Sequence, residues 1–483
     1  MLNREFYDTV TNSVKWSTFA EISAKIATPI INMILARLLS PNEFGVIATV
    51  NMVVSFADVF TDAGFQKYLI QHHFKSQEEL QRNANVAFWT NLSISMLIWI
   101  FLSTFSDQIA NAVGNPGLGH VIIVAGLSLI CTSFTSIQMA IYKKQFNYKS
   151  LFHVRVAGML VPLFITIPLA ILGAGYWSVI IGTLTTELLT AIILTWRSTW
   201  KPKVYFNYIC LKRMFAFSMW ILLESILLWS TTNIDIFFIG KHFSNYQLGL
   251  YKSSISMVNG LFNIIVAATS SVLLSALSAA RCSENDYWNL FFKFQQTVSI
   301  LIIPLGVGVF VYRDLATYII LGSQWGDASL LIGLYALVNA LTILTGQYIS
   351  IIFTAKGLPK VAALSQFLQL IELLLLLKIG LRGSFNTLIV CRCIARLLYG
   401  VINLCLAKLY LKLPLSCTLY NLFPASISAL LMGTIAIILL HNRTSIIWEL
   451  LTIAIDIIFY FGMIYICPQT RHVFKDARKM FVK

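Results

Sequence analysis

Charge is what this chain has least of. Only 11% of its 483 residues are Asp, Glu, Lys or Arg, against about a quarter in soluble domains, so an aqueous globule is excluded. Long polar stretches are scarce too: the longest, near residues 197–213, is too short for a soluble domain. The eight cysteines, at 131, 210, 282, 391, 393, 405, 417 and 467, fall mostly inside apolar runs. Cys391-x-Cys393 has no second pair or nearby histidine, which argues against zinc and for buried thiols. The seven histidines lie at loops or at the ends of apolar runs, and none forms a metal-spaced pair inside one. There is no phosphate-cradling Gly-Lys motif and no nucleophile elbow. With no nucleotide motif, any pumping draws on an ion gradient or on the substrate's own.

What is present is apolar sequence in lengths of about twenty residues, enough to cross a hydrocarbon core of about 30 Å. The runs predict fourteen spans, at 15–39, 44–70, 84–106, 119–142, 151–173, 176–196, 213–239, 249–277, 289–312, 327–354, 360–380, 385–408, 418–441 and 446–467. Helices are expected, because a helix satisfies its own backbone groups without water. The polar opening MLNREFYDTVTNSV is followed by no cleavage pattern, so the first span is expected to be retained.

The net charge of +15 is spread over short loops rather than one soluble face, which points away from nucleic acid and towards topology. Loops after even-numbered spans hold most of the Lys and Arg, among them Lys143, Lys144, Lys149, Arg197, Lys201, Lys203, Arg281 and Lys356, and the tail adds Arg471, Lys475, Arg478, Lys479 and Lys483. The opposite loops hold almost none, Lys241, Arg313, Arg382 and Arg443 apart. The positive-inside rule then places both termini in the cytoplasm. LLSPNEFGVIA at 38–48 recurs as HFSNYQLGLYK at 242–252, with Arg37, Ser40 and Gly45 matched by Lys241, Ser244 and Gly249. The two copies follow spans one and seven, so they read as parallel repeats about an axis along the membrane normal. The expected architecture is an all-α membrane protein: a six-helix lobe at 1–212, a second at 213–412, and two appended helices with a basic tail at 413–483.

Polar residues recur at helical spacing inside four spans. Span one carries Thr18, Glu21, Lys25, Thr28 and Asn32; span two carries Asn51, Ser55, Asp58, Asp62 and Gln66. Span seven carries Glu224, Thr231 and Asp235, and span eight carries Lys252, Ser256, Asn259 and Asn263. Such a stripe must meet protein or water rather than lipid. One reading is hydrogen bonding between helices; the other, favoured by the length of the stripes and their matching positions in the repeats, is a hydrated pathway. Rise per residue places Glu21, Lys25, Asp58 and Asp62 at similar depth, giving three carboxylates against one ammonium and a site for H+ or Na+. Glu224 and Asp235 are further ion-coupling candidates, with Asp235 and Lys252 as a pair or a gate. Glu372, Arg392 and Arg396 fall at one depth and suggest a structural triad.

From ILARLLSPNEFGVIA onward the chain resembles the polysaccharide-export branch of the MOP exporter superfamily, the Wzx and WzxC-like flippases of O-antigen and capsule repeat units. The matching segments are LIQ at 69–71, AFWTNL at 87–92, GAGYWSVI at 173–180, KPK at 201–203, QLGLYKSS at 247–254 and LGSQW at 321–325. SVLLSALS at 271–278 departs from the pattern, lacking the aromatic–proline pair that would kink the helix there. The resemblance implies a flippase, not an enzyme, carrying undecaprenyl-diphosphate-linked oligosaccharide across a bacterial inner membrane, with a cavity lined by helices one, two, seven and eight. No cofactor is implied beyond a coupling ion. A polysaccharide polymerase and chain-length machinery are implied partners, and the last two helices are implied as a groove for the polyprenyl tail. Lys25, Arg155 and Lys252 would meet the diphosphate, and Asn32, Asn51, Asn259 and Asn263 the sugar. The rival functions are a multidrug cation exporter of the same superfamily and a membrane-embedded polymerase or acyltransferase.

Overall fold

Apolar runs of this length satisfy their backbone in hydrocarbon by coiling into helices. The computed structural model describes residues 4–470 apart from 63, 280–283, 442–444 and 469, and among these fourteen helices are long and apolar enough to cross a membrane, from Lys15–Leu38 to Ile446–Ile466. Arg281, Arg443 and the tail from Arg471 lie outside the described residues. Most helix ends fall within a few residues of the expected ones. The third helix starts earlier than expected, at Gln77, and the second is interrupted: Pro41–Thr61 gives way to a break at Gly64, with φ +79°, and a short helix Phe65–Gln71 follows. Glycine takes that left-handed conformation without strain, so the chain turns where apolar content alone reads as one continuous span. The eighth helix, within Asn245–Ala279, runs unbroken through SVLLSALS, as a stretch without proline allows.

Contacts divide the chain into two units, Met1–Lys252 and Ser253–Lys483. The first is packed around a core that includes Phe65, Leu69, Phe88, Ile137 and Met214. Trp200, from the polar stretch before the seventh helix, is buried in the same core. Beside it the Lys203 N–H donates to Asn85 Oδ1 at 2.9 Å, and Trp89 Nε1 donates to the Lys203 carbonyl at 2.9 Å. That linker is therefore pinned to the third helix, Gln77–Thr104, rather than trailing in solvent. In the second unit the thirteenth helix, Leu415–Leu440, packs against the ninth, Tyr287–Val311. The last helix is tied in by Tyr460, whose hydroxyl donates to the Ile300 carbonyl at 3.0 Å, and by a 2.6 Å bond from the Tyr312 hydroxyl to Asp456.

The duplicated corner has a defined local structure in both copies. Ser40 donates its N–H and hydroxyl to Glu43 Oε2 at 2.6 and 2.9 Å, and the Glu43 N–H reaches back to Ser40 Oγ at 3.4 Å. Ser244 and Gln247 repeat the arrangement at 3.2, 3.3 and 3.3 Å. Each is a capping box, which satisfies donors that the first turn of a helix leaves unpaired. The glycines one turn on bring the two corners together. A Cβ on Gly45 would overlap the Asn245 carbonyl, and one on Gly249 would overlap the Pro41 carbonyl. Close backbone approach of this kind is open only to glycine.

Ser40→Ala removes one cap and is expected to cost about 1 kcal/mol. Gly45→Ala forces backbone against backbone and is expected to cost more. Thermal unfolding of the purified protein in detergent should rank wild type above Ser40→Ala above Gly45→Ala; an unshifted Gly45→Ala would contradict the close approach.

Candidate functional site

Within the first unit a cavity of about 630 Å³ lies between the first, fourth, fifth and sixth helices. The first helix contributes Thr28 and Asn32, the fifth Arg155, and the sixth Thr183, Thr186, Glu187 and Thr190. Spacings of three and four residues put the sixth-helix set on one face. Thr183 and Thr186 donate to the Val179 and Gly182 carbonyls of their own helix, each at 2.8 Å. Their donors are thus satisfied without a ligand, while each oxygen keeps acceptor capacity. The fifth helix widens to a π-turn over Pro162–Thr166, where Pro162 and Thr166 border the cavity. Proline supplies no N–H for the regular ladder, and such turns mark many functional sites.

The rim of this cavity is charged. Glu21 Oε2 pairs with Arg155 Nη1 at 3.1 Å and Glu21 Oε1 with Lys25 Nζ at 3.4 Å. One carboxylate thereby serves two cations from two helices, one oxygen to each. The group is open to a visitor: the side chains of Arg155, Glu21 and Lys25 are 45%, 48% and 33% exposed. Lys143 adds a third cation to the cavity, and Glu187 a second carboxylate. Among the residues that line the cavity itself, Lys143 and Arg155 stand against Glu187. An excess of positive charge beside a membrane cavity favours an anionic occupant. Arginine's planar fork suits phosphate or carboxylate oxygens.

This differs from the grouping expected of the sequence. No ion pair among the described residues links Asp58 to Lys25. Asp58 Oδ1 instead accepts from the Thr61 and Thr132 hydroxyls at 2.8 and 3.1 Å. Asp58 lies within electrostatic reach of Glu187 across the second and sixth helices. The Asp62 side chain lies outside the described residues. Depth alone grouped these acids with Lys25; helix rotation, which depth does not report, separates Asp58 and brings in Arg155. The second-helix stripe serves largely to join helices: Trp229 Nε1 donates to Ser55 Oγ at 2.9 Å and Gln66 Nε2 to the Ser136 carbonyl at 3.4 Å.

The remaining candidates are dispersed. Glu224 pairs with Lys67 at 3.7 Å on an exposed face. Asp235 is 3% exposed and accepts from the Tyr251 hydroxyl at 2.7 Å, a buried contact between neighbouring helices. Lys252 is half-buried, and Asn51 and Asn263 are exposed. In the second unit Asn259 Oδ1 accepts from Tyr335 and Asn339, both at 3.5 Å. Of the triad expected at Glu372, Arg392 and Arg396, Arg392 lies within electrostatic reach of Glu372, whereas Arg396 donates through Nε and Nη2 to Asn339 Oδ1 at 3.1 and 2.9 Å. Sequence reasoning gave Glu187 no role and missed the threonine face of the sixth helix, although the 3-4 spacing of Thr183, Thr186 and Thr190 was there to be read.

Cysteines placed at Thr186 and Thr28 are expected to react with a membrane-impermeant maleimide in open membranes, and one placed at Phe88 in the core to stay unmodified. Equal protection at all three positions would show that the cavity is dry.

A family model described as polysaccharide biosynthesis protein matches residues 34–330. The succinoglycan biosynthesis transport protein ExoT of Rhizobium meliloti (strain 1021) is 24% identical over 330 residues, 68% of this chain and 66% of that one. The lipopolysaccharide biosynthesis protein WzxC of Escherichia coli (strain K12) is 20% identical over 344 residues, 68% of this chain and 67% of that one. The matched stretch thus spans about two thirds of each relative. Among solved structures, the lipid II flippase MurJ in an inward closed conformation aligns with a TM-score of 0.75 at 17% identity, over 94% of this chain and 98% of that one. An inward-facing multidrug resistance MATE family transporter of the MOP superfamily aligns with a TM-score of 0.58 at 14% identity, over 81% of this chain and 99% of that one. Identities this low carry the fold alone. With the family model matching more than half of its length, this multi-pass membrane protein belongs to the polysaccharide biosynthesis protein family.

Proposed function

We propose that the protein is a flippase. It moves an undecaprenyl-diphosphate-linked oligosaccharide repeat unit, destined for O-antigen or a similar surface polysaccharide, from the cytoplasmic to the periplasmic leaflet of a bacterial inner membrane. The observation that carries the reading is the pair of cations, Arg155 and Lys25, held on Glu21 beside a membrane cavity whose largely apolar wall carries threonine hydroxyls. A diphosphate needs cationic partners in a low dielectric, and threonine and asparagine oxygens suit sugar hydroxyls. Support comes also from the descriptions of ExoT, in succinoglycan biosynthesis transport, of WzxC, in lipopolysaccharide biosynthesis, and of the fold relative MurJ, a lipid II flippase. A multidrug cation exporter is the poorer fit, because excess positive charge repels its cargo.

In this reading residues 1–212 and 213–412 are six-helix lobes related as parallel repeats, residues 413–483 are appended, and both termini are cytoplasmic. The duplicated corners then lie at the periplasmic ends of their helices. Their glycine contact closes that end, and parting Gly45 from Asn245 opens it. Coupling to H+ or Na+ falls to the carboxylates of the cavity side, Asp58 with Glu187. A polysaccharide polymerase and its chain-length partners would take the product.

Deleting the gene should strand the lipid-linked unit on the inner leaflet. In vesicles loaded with labelled lipid-linked oligosaccharide, Arg155→Ala and Lys25→Ala should each slow its passage by roughly tenfold to a hundredfold, the worth of a charge-assisted hydrogen bond. Wild-type rates in both variants would remove the basis of the assignment.

A further inference from the structure

We propose that Glu21 is a resident stand-in for the cargo's diphosphate: between transport events its carboxylate occupies Arg155 and Lys25, and an anionic headgroup binds by displacing it. The inference rests on the reading that the cargo is a lipid diphosphate, and it names the residue that sets how tightly that cargo is held.

Three observations support it. The carboxylate offers Oε2 to Arg155 at 3.1 Å and Oε1 to Lys25 at 3.4 Å, and two oxygens of a phosphate group could take up the same arrangement. The cluster is neither sealed nor remote: all three side chains are substantially exposed, and Arg155 itself lines the cavity while Ala20 and Ala24, next to Glu21 and Lys25, line it from the first helix. Neighbouring acids are not arranged to do the same. Asp58 is committed to two threonine hydroxyls, and Glu187, across the cavity, makes no ion pair among the described residues.

The physical consequence is an exchange of one anion for another. Without Glu21, Arg155 and Lys25 would be like charges with no carboxylate between them. With Glu21 in place they are compensated, and an incoming diphosphate must compete for them. Its net affinity is lowered by whatever the two ion pairs are worth. A carrier gains from that, since cargo must be held well enough to enter and loosely enough to leave. On the far side, the returning carboxylate helps to expel the headgroup.

The test measures equilibrium binding of farnesyl diphosphate to the full-length protein in nanodiscs at low salt. Glu21→Gln should bind it about three- to tenfold more tightly than wild type, the scale of a partly exposed ion pair, and Glu21→Asp, which keeps the charge, should match wild type. In an Arg155→Gln background the gain should vanish. Should Glu21→Gln not fold, judged by its thermal unfolding, Glu21→Ser takes its place. Unchanged or weaker binding in the neutral variant, with wild type binding normally, overturns the inference alone, as does a gain that persists without Arg155. No binding in any variant overturns the functional reading and the inference with it.

Discussion

The cost of leaving a charge or a polar backbone group unpaired in hydrocarbon governs this molecule. It forces the apolar runs into helices, since only a helix closes its own hydrogen bonds along a single segment. It also dictates where the few charges go. Arg155 and Lys25 converge on one carboxylate, Lys67 finds Glu224, and Arg396 finds the Asn339 amide oxygen. Where cations outnumber carboxylates along a cavity wall, the remaining cost is a standing preference for an anion, and the proposed function rests on that imbalance.

A second constraint acts at the helix ends. Four N–H groups at each helix start have no partner within the helix. Both copies of the corner meet this with the same Ser-x-x-Glu/Gln box. The difference between the copies is one charge: Glu43 complements the positive end of its helix dipole, and Gln247 does so only through its amide. Because Gly45 and Gly249 let the backbones touch, two helix starts of like polarity are brought close together. The single negative charge of Glu43 eases that juxtaposition.

The fold was legible where it depends on length and periodicity. Helix number, most boundaries and the shared corner follow from apolar runs and turn residues, because hydrocarbon thickness fixes how long a span must be. The break at Gly64 was missed because a left-handed turn inside an apolar run leaves hydropathy unchanged. The site was legible in part. Glu21, Lys25, Thr28 and Asn32 were singled out by type and spacing and Arg155 through the family resemblance, and the structure places them in or beside one cavity. What one helix cannot reveal is which neighbour its face meets. Asp58 and Lys25 match in depth but not in partner, and the swap of Asp58 for Arg155 reverses the sign of the uncompensated charge. The second-helix stripe looked like a water track, yet Ser55 and Gln66 serve as contacts to Trp229 and Ser136.

A structure of the protein with a lipid-linked diphosphate bound addresses the central claim most directly. The account predicts headgroup phosphate oxygens at salt-bridge distance from Arg155 and Lys25, with the Glu21 carboxylate turned away and the sugar against the threonine face of the sixth helix. A headgroup held elsewhere in the chain, with the Glu21–Arg155 pair intact, would contradict it.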